Sequence, residues 1–140
     1  MKKIPWSIIA LVVVVATTFT SCKKYPDGPT ISLRSKAARV ANTWKVEKYL
    51  LNVTDQTAAF NAFASSFTET YTKDGVYSYT YGSNTGSGKW EFQNKEMEIK
   101  VSGVNGASSE TLVILKLKES EFWYYSMDGN DKSEYHMIPN

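Results

Sequence analysis

Short apolar runs separated by turn residues are the feature of this chain that most constrains its fold. From about residue 43 onward, Val, Tyr, Phe, Trp and Thr cluster in these runs, and Gly, Asn and Asp fill the breaks. The runs predict eight strands, at residues 43–52, 66–72, 76–82, 88–93, 96–102, 111–118, 121–127 and 132–138. Strands at this regular spacing are typical of an antiparallel meander or barrel, so the sequence predicts an all-β domain.

The short loops also predict which side chains share a face of the sheet, because directly opposed residues point the same way. The predicted two-residue loops are 84–85, 94–95, 119–120 and 129–130. They give one apolar face made of Tyr77, Tyr79, Trp90, Phe92, Met97, Ile99 and Val101. They give a second made of Val113, Leu115, Leu117, Phe122, Tyr124, Tyr135 and Met137. Such faces must meet, and an eight-stranded up-and-down barrel achieves this without an exposed edge.

The aromatic interior is compatible with two kinds of barrel. About eight strands leave room either for packed side chains or for one small ligand. A mostly apolar pocket with a few polar groups is the usual small-molecule site. The residues predicted to line such a cavity are Tyr77, Tyr79, Trp90, Phe92, Phe122, Tyr124 and Tyr135, together with Glu69. A filled core remains the alternative at this point.

The orientation of Glu69 depends on the turn that follows the second strand. A three-residue loop at 73–75 points Glu69 inward, whereas a two-residue loop at 74–75 points the threonines of that strand inward. We favour the first, because it buries the aromatic residues of the strand. Glu69 is then an interior acid with a raised pKa unless it is paired, and Lys48 is a candidate partner.

The longest interruption of the strands, from Thr54 to Ser66, predicts a short helix. Asp55 can cap its start, and the alanines within it favour helix. Phe60 and Phe63 recur at helical spacing. The segment is either a lid whose phenylalanines touch a ligand, or a plug or buttress that buries the same rings permanently.

An apolar cluster is predicted on the outer face. By the same strand register it contains Leu112, Ile114, Trp123 and Tyr125. An exposed cluster of this kind must be covered or used. The predicted cover is a short helix within residues 31–40, and the alternative is a protein partner or a second copy of the chain.

Composition argues against catalysis, metal binding and nucleic-acid binding. His136 is the only histidine and Cys22 the only cysteine, so no nucleophile is organised beside a base and no usual zinc ligand set exists. Residues 42–140 carry nine lysines and thirteen acids, without a basic stripe. We therefore expect a protein that is not an enzyme, has no cofactor and binds no nucleic acid.

Two lysines near the start of the chain precede an apolar run at 8–19 that is too short to span a membrane, and small residues precede Cys22. These 22 residues resemble the signal peptide and lipobox of a bacterial lipoprotein. The resemblance implies that residues 1–21 are removed and that Cys22 carries fatty acyl groups, palmitate among them, which insert into a membrane. An ordinary secretory peptide is the alternative.

The segment after Cys22 indicates the destination and the domain layout. Lys23 stands where some inner-membrane lipoproteins carry a retention aspartate, so the resemblance implies an anchor in the outer membrane, facing either the periplasm or the surface. We divide the chain into a signal peptide (1–21), a lipidated tether with a short helix (22–40) and a β-barrel domain (41–140).

Three further segments contain short motifs. Residues 42–46 are Asn-Thr-Trp-Lys-Val, residues 73–77 are Lys-Asp-Gly-Val-Tyr, and residues 88–92 are Gly-Lys-Trp-Glu-Phe. The first resembles the Gly-x-Trp start of lipocalins, and the other two are similar to the DGTY and GxWxF pattern of the lipocalin-like domains of bacterial lipoproteins. The resemblance implies an eight-stranded antiparallel barrel with a small-molecule cavity, and it makes Trp44 the structural tryptophan of the barrel floor. The function expected is binding of a small apolar or amphipathic molecule, and the alternative is an envelope scaffold with a filled barrel.

Overall fold

The computed structural model of this protein describes residues 25–26 and 33–140. Cys22 and the predicted signal peptide lie outside the described residues. In chain order the described elements are α1 (Lys36–Val40), β1 (Thr43–Leu51), β2 (Thr54–Asp55), α2 (Thr57–Ala64), β3 (Thr68–Tyr71), β4 (Val76–Tyr81), β5 (Asn84–Gln93), β6 (Glu98–Ser102), β7 (Glu110–Leu117), β8 (Phe122–Asp128) and β9 (Asp131–Pro139), with 3-10 turns at Asn94–Glu96 and Val104–Gly106. None of the helices in this part of the chain is long and apolar enough to cross a membrane.

The strands close into one antiparallel barrel. Each strand from β3 to β8 pairs with the next along the chain, while β1 pairs with β3 on one side and with β9 on the other. The two-residue β2 pairs only with the end of β1 and lies outside the ring of eight. The predicted fold, an all-β, eight-stranded up-and-down lipocalin-like barrel with two short helices, is confirmed for the described residues.

The predicted register between β4 and β5 is wrong by four residues. Tyr79 pairs with Gly86 and not with Trp90, because the turn lies at residues 82–83 and β5 begins at Asn84. The glycines of β5 allow this pairing. A Cβ atom on Gly86 would overlap the ring of Tyr79, so the absence of a side chain makes room for that ring.

The predicted register between β5 and β6 is wrong by two residues. Phe92 pairs with Ile99 and not with Met97, because the turn has four residues and Asn94, Lys95 and Glu96 all adopt positive φ. Both errors are even numbers, and side chains alternate with a period of two, so the predicted interior face is kept. That face contains Tyr77, Tyr79, Trp90, Phe92, Met97, Ile99 and Val101.

The predicted orientation of the first half of β7 is also wrong. A bulge between Ile114 and Lys116 leaves Leu115 without a partner on β8 and reverses the alternation on one side of it. Leu112 and Ile114 therefore point into the core, where they are 2% and 1% exposed. Val113 and Leu115, predicted inside, are half-buried on the outer side. The predicted four-residue outer patch is reduced to Trp123 and Tyr125.

One end of the barrel is sealed by α1, and we call it the closed end. Ser35 caps this helix by accepting a hydrogen bond from the Ala38 amide at 3.2 Å. The Arg39 guanidinium donates to the Leu117 carbonyl at 2.6 Å, and the Trp44 indole donates to the Val40 carbonyl at 2.8 Å. The helix thus covers the barrel end and not, as predicted, an outer patch.

The interior next to the closed end is filled by large side chains. Phe122 lies 5.7 Å from Trp44 and 5.7 Å from Tyr71 between ring centroids. Tyr71 also meets Trp90 edge-on at 5.9 Å. The fully buried side chains there include Trp44, Tyr71, Phe122, Ile99, Leu117 and Met137. This half of the barrel is a packed core, which leaves the opposite half as the place for a cavity.

Candidate ligand cavity

The half of the barrel away from α1 contains a cavity of about 210 Å³. Its walls come from the start of β3 and from β4, β6, β7, β8 and β9. The lining residues are Phe67, Glu69, Tyr77, Tyr79, Val101, Glu110, Leu112, Tyr124 and Tyr135. Glu110 is exposed, so the cavity reaches the surface beside its side chain.

The structure brings five of the eight predicted lining residues to this cavity. These five are Glu69, Tyr77, Tyr79, Tyr124 and Tyr135. Trp90, Phe92 and Phe122 do not reach it. Trp90 packs edge-on against Phe92 at 5.3 Å, and Phe122 belongs to the core beside Trp44. These three rings form the filled half of the interior, closer to α1.

Four lining residues were not among the predicted site candidates: Phe67, Val101, Glu110 and Leu112. Val101 was placed on the inner face of its strand, whereas Glu110 and Leu112 were not placed inside. Leu112 was placed outside because no sequence signal marks the β7 bulge. Glu110 precedes the predicted start of β7, yet it pairs with Val101 of β6 and so belongs to the inner face. Nothing in the sequence indicates that β7 begins at Glu110, one residue before the predicted start of the strand.

Glu69 is the buried polar centre of the cavity wall. It is 5% exposed and accepts three hydrogen bonds, from the hydroxyls of Tyr77 at 2.8 Å, Tyr124 at 2.9 Å and Tyr71 at 3.1 Å. The predicted partner Lys48 is not involved, because its ammonium group lies 3.7 Å from Asp55 instead. Within the part of the chain that the structure describes, every hydrogen-bond donor to Glu69 is a tyrosine hydroxyl.

The turn between β3 and β4 decides the inward direction of Glu69. The Thr72 amide donates to the Val76 carbonyl at 2.9 Å, and the Val76 amide donates to the Thr72 hydroxyl at 3.0 Å. These bonds enclose a three-residue loop at 73–75 in which Gly75 has a φ of +87°. Glu69 therefore pairs with Tyr79 on the interior face, and the predicted three-residue loop is confirmed.

Burial controls the ionisation of this cluster. It raises the pKa of Glu69, and the hydrogen bonds from the three phenols only partly oppose that rise, while the charge of Glu110 adds to it. Burial, followed by the charge of Glu69, also raises the pKa values of Tyr71, Tyr77 and Tyr124. These phenols keep their protons at neutral pH and act as donors to the carboxyl oxygens.

Helix α2 lies at the rim of the cavity. Phe60 contacts the rings of Tyr49, Phe67 and Tyr135 at centroid distances of 5.2, 6.1 and 6.2 Å. Phe67 and Tyr135 are themselves part of the cavity wall. Phe63 is 69% exposed. The two predicted lid residues therefore differ, since one supports the rim and the other faces solvent.

The outer wall carries two rings that are each covered by a lysine. Trp123 stacks on His136 with a centroid distance of 3.9 Å and an interplanar angle of 2°. The Lys116 ammonium lies 3.3 Å from the centroid of Trp123, and the Lys132 ammonium lies 4.5 Å from that of Tyr125. These contacts are cation–π interactions. The stacked histidine and the two lysines leave little of the predicted apolar outer surface exposed.

Other parts of the surface offer less organised sites. A groove of about 590 Å³ runs beside residues 108–111 and the end of β8, but its lining is almost entirely exposed and holds no buried polar group. Among residues 25–26 and 33–140, no three His, Cys, Asp or Glu side chains are grouped so that they could hold a metal ion. The interior cavity is therefore the candidate site that we develop.

Comparisons with known proteins do not assign this chain to a family. A scan against protein-family models finds no match, and a search of the curated proteins finds no similar sequence. The lipocalin-like description of the fold rests on the barrel itself. Membership of the lipocalin-like lipoproteins stays a prediction from the sequence motifs.

Proposed function

We propose that this protein is a lipid-anchored lipoprotein of the bacterial outer membrane, and that its barrel binds one small amphipathic molecule without catalysing a reaction. The observation that carries the binding proposal is the 210 Å³ cavity with a buried carboxyl group on its wall. A barrel used only as a scaffold has no need for this space, which would be filled by larger side chains as it is near α1.

The size and lining of the cavity favour a compact ligand with one polar group. Liquid water occupies about 30 Å³ per molecule, so the cavity has room for about seven waters or one ligand of single-ring size. Leu112, Val101 and the aromatic rings offer apolar contact, whereas Glu69 and its phenols are gathered on one part of the wall. Pockets of this composition are the usual sites for small molecules.

The anchoring part of the proposal is supported by the sequence. Cys22 follows small residues at the end of an apolar segment with a basic start, and the domain uses no other cysteine. A lipid-modified Cys22 gives that residue a role in an exported chain that offers it no disulfide partner.

Native mass spectrometry of the protein purified from its own host tests the binding proposal. We expect a co-purifying small molecule, and we expect Leu112→Trp to lose it by filling the cavity. Val113→Trp is the matched control, because the neighbouring side chain lies on the outer side and should leave binding unchanged. Circular dichroism checks that both variants fold. A folded Leu112→Trp variant that keeps its ligand, or a protein that carries none and takes up none, would contradict the proposal.

A further inference from the structure

We infer that the cavity selects a small organic ammonium ion, with the Glu69 carboxylate as its counter-ion. This inference rests on the proposed binding function and adds the chemical class of the ligand. It is argued from three properties of the cavity: the hydrogen-bonding state of Glu69, the charges around it and the rings that line the wall.

The first property is an acceptor position that remains unused on Glu69. A carboxylate offers about four lone-pair sites on two oxygens. Tyr71 and Tyr124 both donate to Oε2, whereas only Tyr77 donates to Oε1. Since Glu69 lines the cavity, a donor group on a ligand can occupy the remaining site on Oε1. An ammonium group supplies such a donor together with a positive charge.

The second property is the sign of the charge. The phenols satisfy hydrogen bonds of Glu69 but bring no positive charge to balance it, and a buried charge is stabilised most by an opposite charge. Glu110, also on the cavity lining, adds a second negative group where the cavity reaches the surface. An anionic ligand is repelled by Glu110 at the entrance and favours the protonated form of Glu69, whereas a cation is attracted at the entrance and favours the ionised carboxylate of Glu69, against the effect of its burial.

The third property is the aromatic lining. Tyr124 and Tyr135 stack at 5.2 Å, and Phe67 and Tyr79 stack at 6.5 Å between centroids. All four rings line the cavity. Aromatic rings attract organic cations through their π electrons and also bury an apolar substituent. A primary amine attached to one ring by a short chain matches the charge, the lining and the volume.

The test compares three probes of the same shape on the full-length protein in lipid nanodiscs, with empty nanodiscs as the blank. The probes are 2-phenylethylamine, the neutral 2-phenylethanol and the anionic 3-phenylpropionate, and isothermal titration calorimetry measures their affinities. We expect the amine to bind about tenfold more tightly than the alcohol, as a charge-assisted hydrogen bond predicts, and the carboxylate to bind most weakly.

Two variants assign the preference to Glu69. Glu69→Gln should bring the amine to within about threefold of the alcohol, because it removes the charge and keeps the shape. Glu91→Gln is the control, since it removes one negative charge from an exposed position and should keep the full preference. Circular dichroism establishes that each variant folds.

A second readout needs no substitution at Glu69. The carbon-13 shift of the Glu69 carboxyl group in the unaltered protein should move when the amine is added and stay with the alcohol. Equal affinity of amine and alcohol, or an unmoved Glu69 signal during amine binding, would overturn the ammonium inference while the binding function stands. If no probe of the three binds, the ammonium inference falls, and the search for a co-purifying molecule decides the binding function separately.

Discussion

Glu69 links two walls of the barrel that are not neighbours in the sheet. It is carried by β3 and accepts from Tyr124 of β8, as well as from Tyr77 of the adjacent strand. An interior carboxyl group without partners is costly, and three phenol donors reduce that cost. The same residue is therefore part of the packing of the interior and a buried carboxyl group on the cavity wall.

The stability of the fold should depend on pH through Glu69. The pKa of Glu69 in the folded protein lies above the ordinary value of 4.5. Between pH 4.5 and that raised pKa, the folded state therefore holds a proton that the unfolded state has lost. The stabilising effect of that proton is complete below about pH 4.5 and is lost as pH rises through the raised pKa. Residue 69 cannot titrate in the Glu69→Gln variant. The free energy of unfolding of the variant, relative to that of the unaltered protein, should therefore rise as pH increases from about 4.5 through the raised pKa of Glu69.

Urea unfolding between pH 4 and 8 measures this difference. The groups that face Glu69 are the phenols of Tyr71, Tyr77 and Tyr124 and the carboxyl of Glu110, and they are common to both proteins. The glutamine oxygen can accept from two phenols while its amide group donates to the third, so the variant keeps a hydrogen-bonded cluster. A stability difference that stays constant across this range would show that the pKa of Glu69 is not raised.

At the scale of the element, α2 is held at the barrel by one of its two phenylalanines. Phe60 contacts three rings outside α2, two of which belong to the cavity wall, whereas Phe63 is 69% exposed. Replacing Phe60 by Ala removes these contacts and should destabilise the fold by about 1–3 kcal/mol, less than a fully buried aromatic residue because Phe60 is half-buried. Phe63→Ala should change the free energy of unfolding by no more than about 0.5 kcal/mol.

Chemical denaturation of the two alanine variants provides the measurement, and each serves as the control of the other. Binding of 2-phenylethylamine adds a functional readout, because Phe60 supports the rim formed by Phe67 and Tyr135. We expect Phe60→Ala to weaken that binding and Phe63→Ala to leave it unchanged. Similar losses of stability in both variants would contradict the assignment of Phe60 as the anchor of α2.

The elements themselves were largely predictable, whereas the register of some of them was not. The loops at 119–120 and 129–130 gave the correct pairs, such as Leu117 with Phe122 and Tyr124 with Tyr135, because each loop is short and has one plausible position. Between β4 and β5, however, residues 82–86 are all turn-forming, and the sequence alone does not choose the turn.

The candidate site was predictable where the strand register or the turn length could be predicted. The tyrosines of β4, β8 and β9 were placed inside by the predicted register, and Glu69 was placed inside by the predicted three-residue loop at 73–75. Leu112 was not placed inside, because residues 112–115 form an unbroken apolar run, which does not indicate which of its side chains point inward. The bulge in β7 fixes that orientation, and tertiary packing decides where the bulge lies. The boundary between filled core and cavity depends on side-chain volumes across the barrel, which no single strand reveals.

For the whole molecule, the anchor and the barrel should be separable. Cys22 precedes the predicted barrel domain (41–140) in the sequence, so we expect Cys22→Ser to abolish lipid attachment without changing the unfolding midpoint of the barrel. Membrane fractionation and metabolic labelling with a fatty-acid analogue measure attachment, and thermal unfolding measures the domain. A Cys22→Ser protein that still sediments with membranes would contradict the lipid anchor.

The route of the chain from Cys22 to the barrel also sets an expected orientation. Tyr25 is 2% exposed, and its hydroxyl donates to the Glu96 carbonyl at the closed end at 2.7 Å. This burial, together with the nearby charge of Glu96, outweighs the opposite effect of Arg39 and raises the pKa of Tyr25 to about 12, so the hydroxyl keeps its proton at neutral pH. Three residues span at most about 11 Å, so we expect the proposed lipid on Cys22 to hold the closed end next to the bilayer.

The cavity should therefore open away from the membrane. Strands of nine residues, such as β1, rise about 3.3 Å per residue and tilt by about 40° in a barrel, which gives a height of about 20 Å. A dye attached through Glu119→Cys, at the closed end, should transfer energy to a labelled lipid more efficiently than one attached through Asp128→Cys, at the opposite end. Equal transfer from both positions would mean that the barrel lies on its side, and stronger transfer from Asp128→Cys would mean that the cavity faces the lipid and draws its ligand from the bilayer.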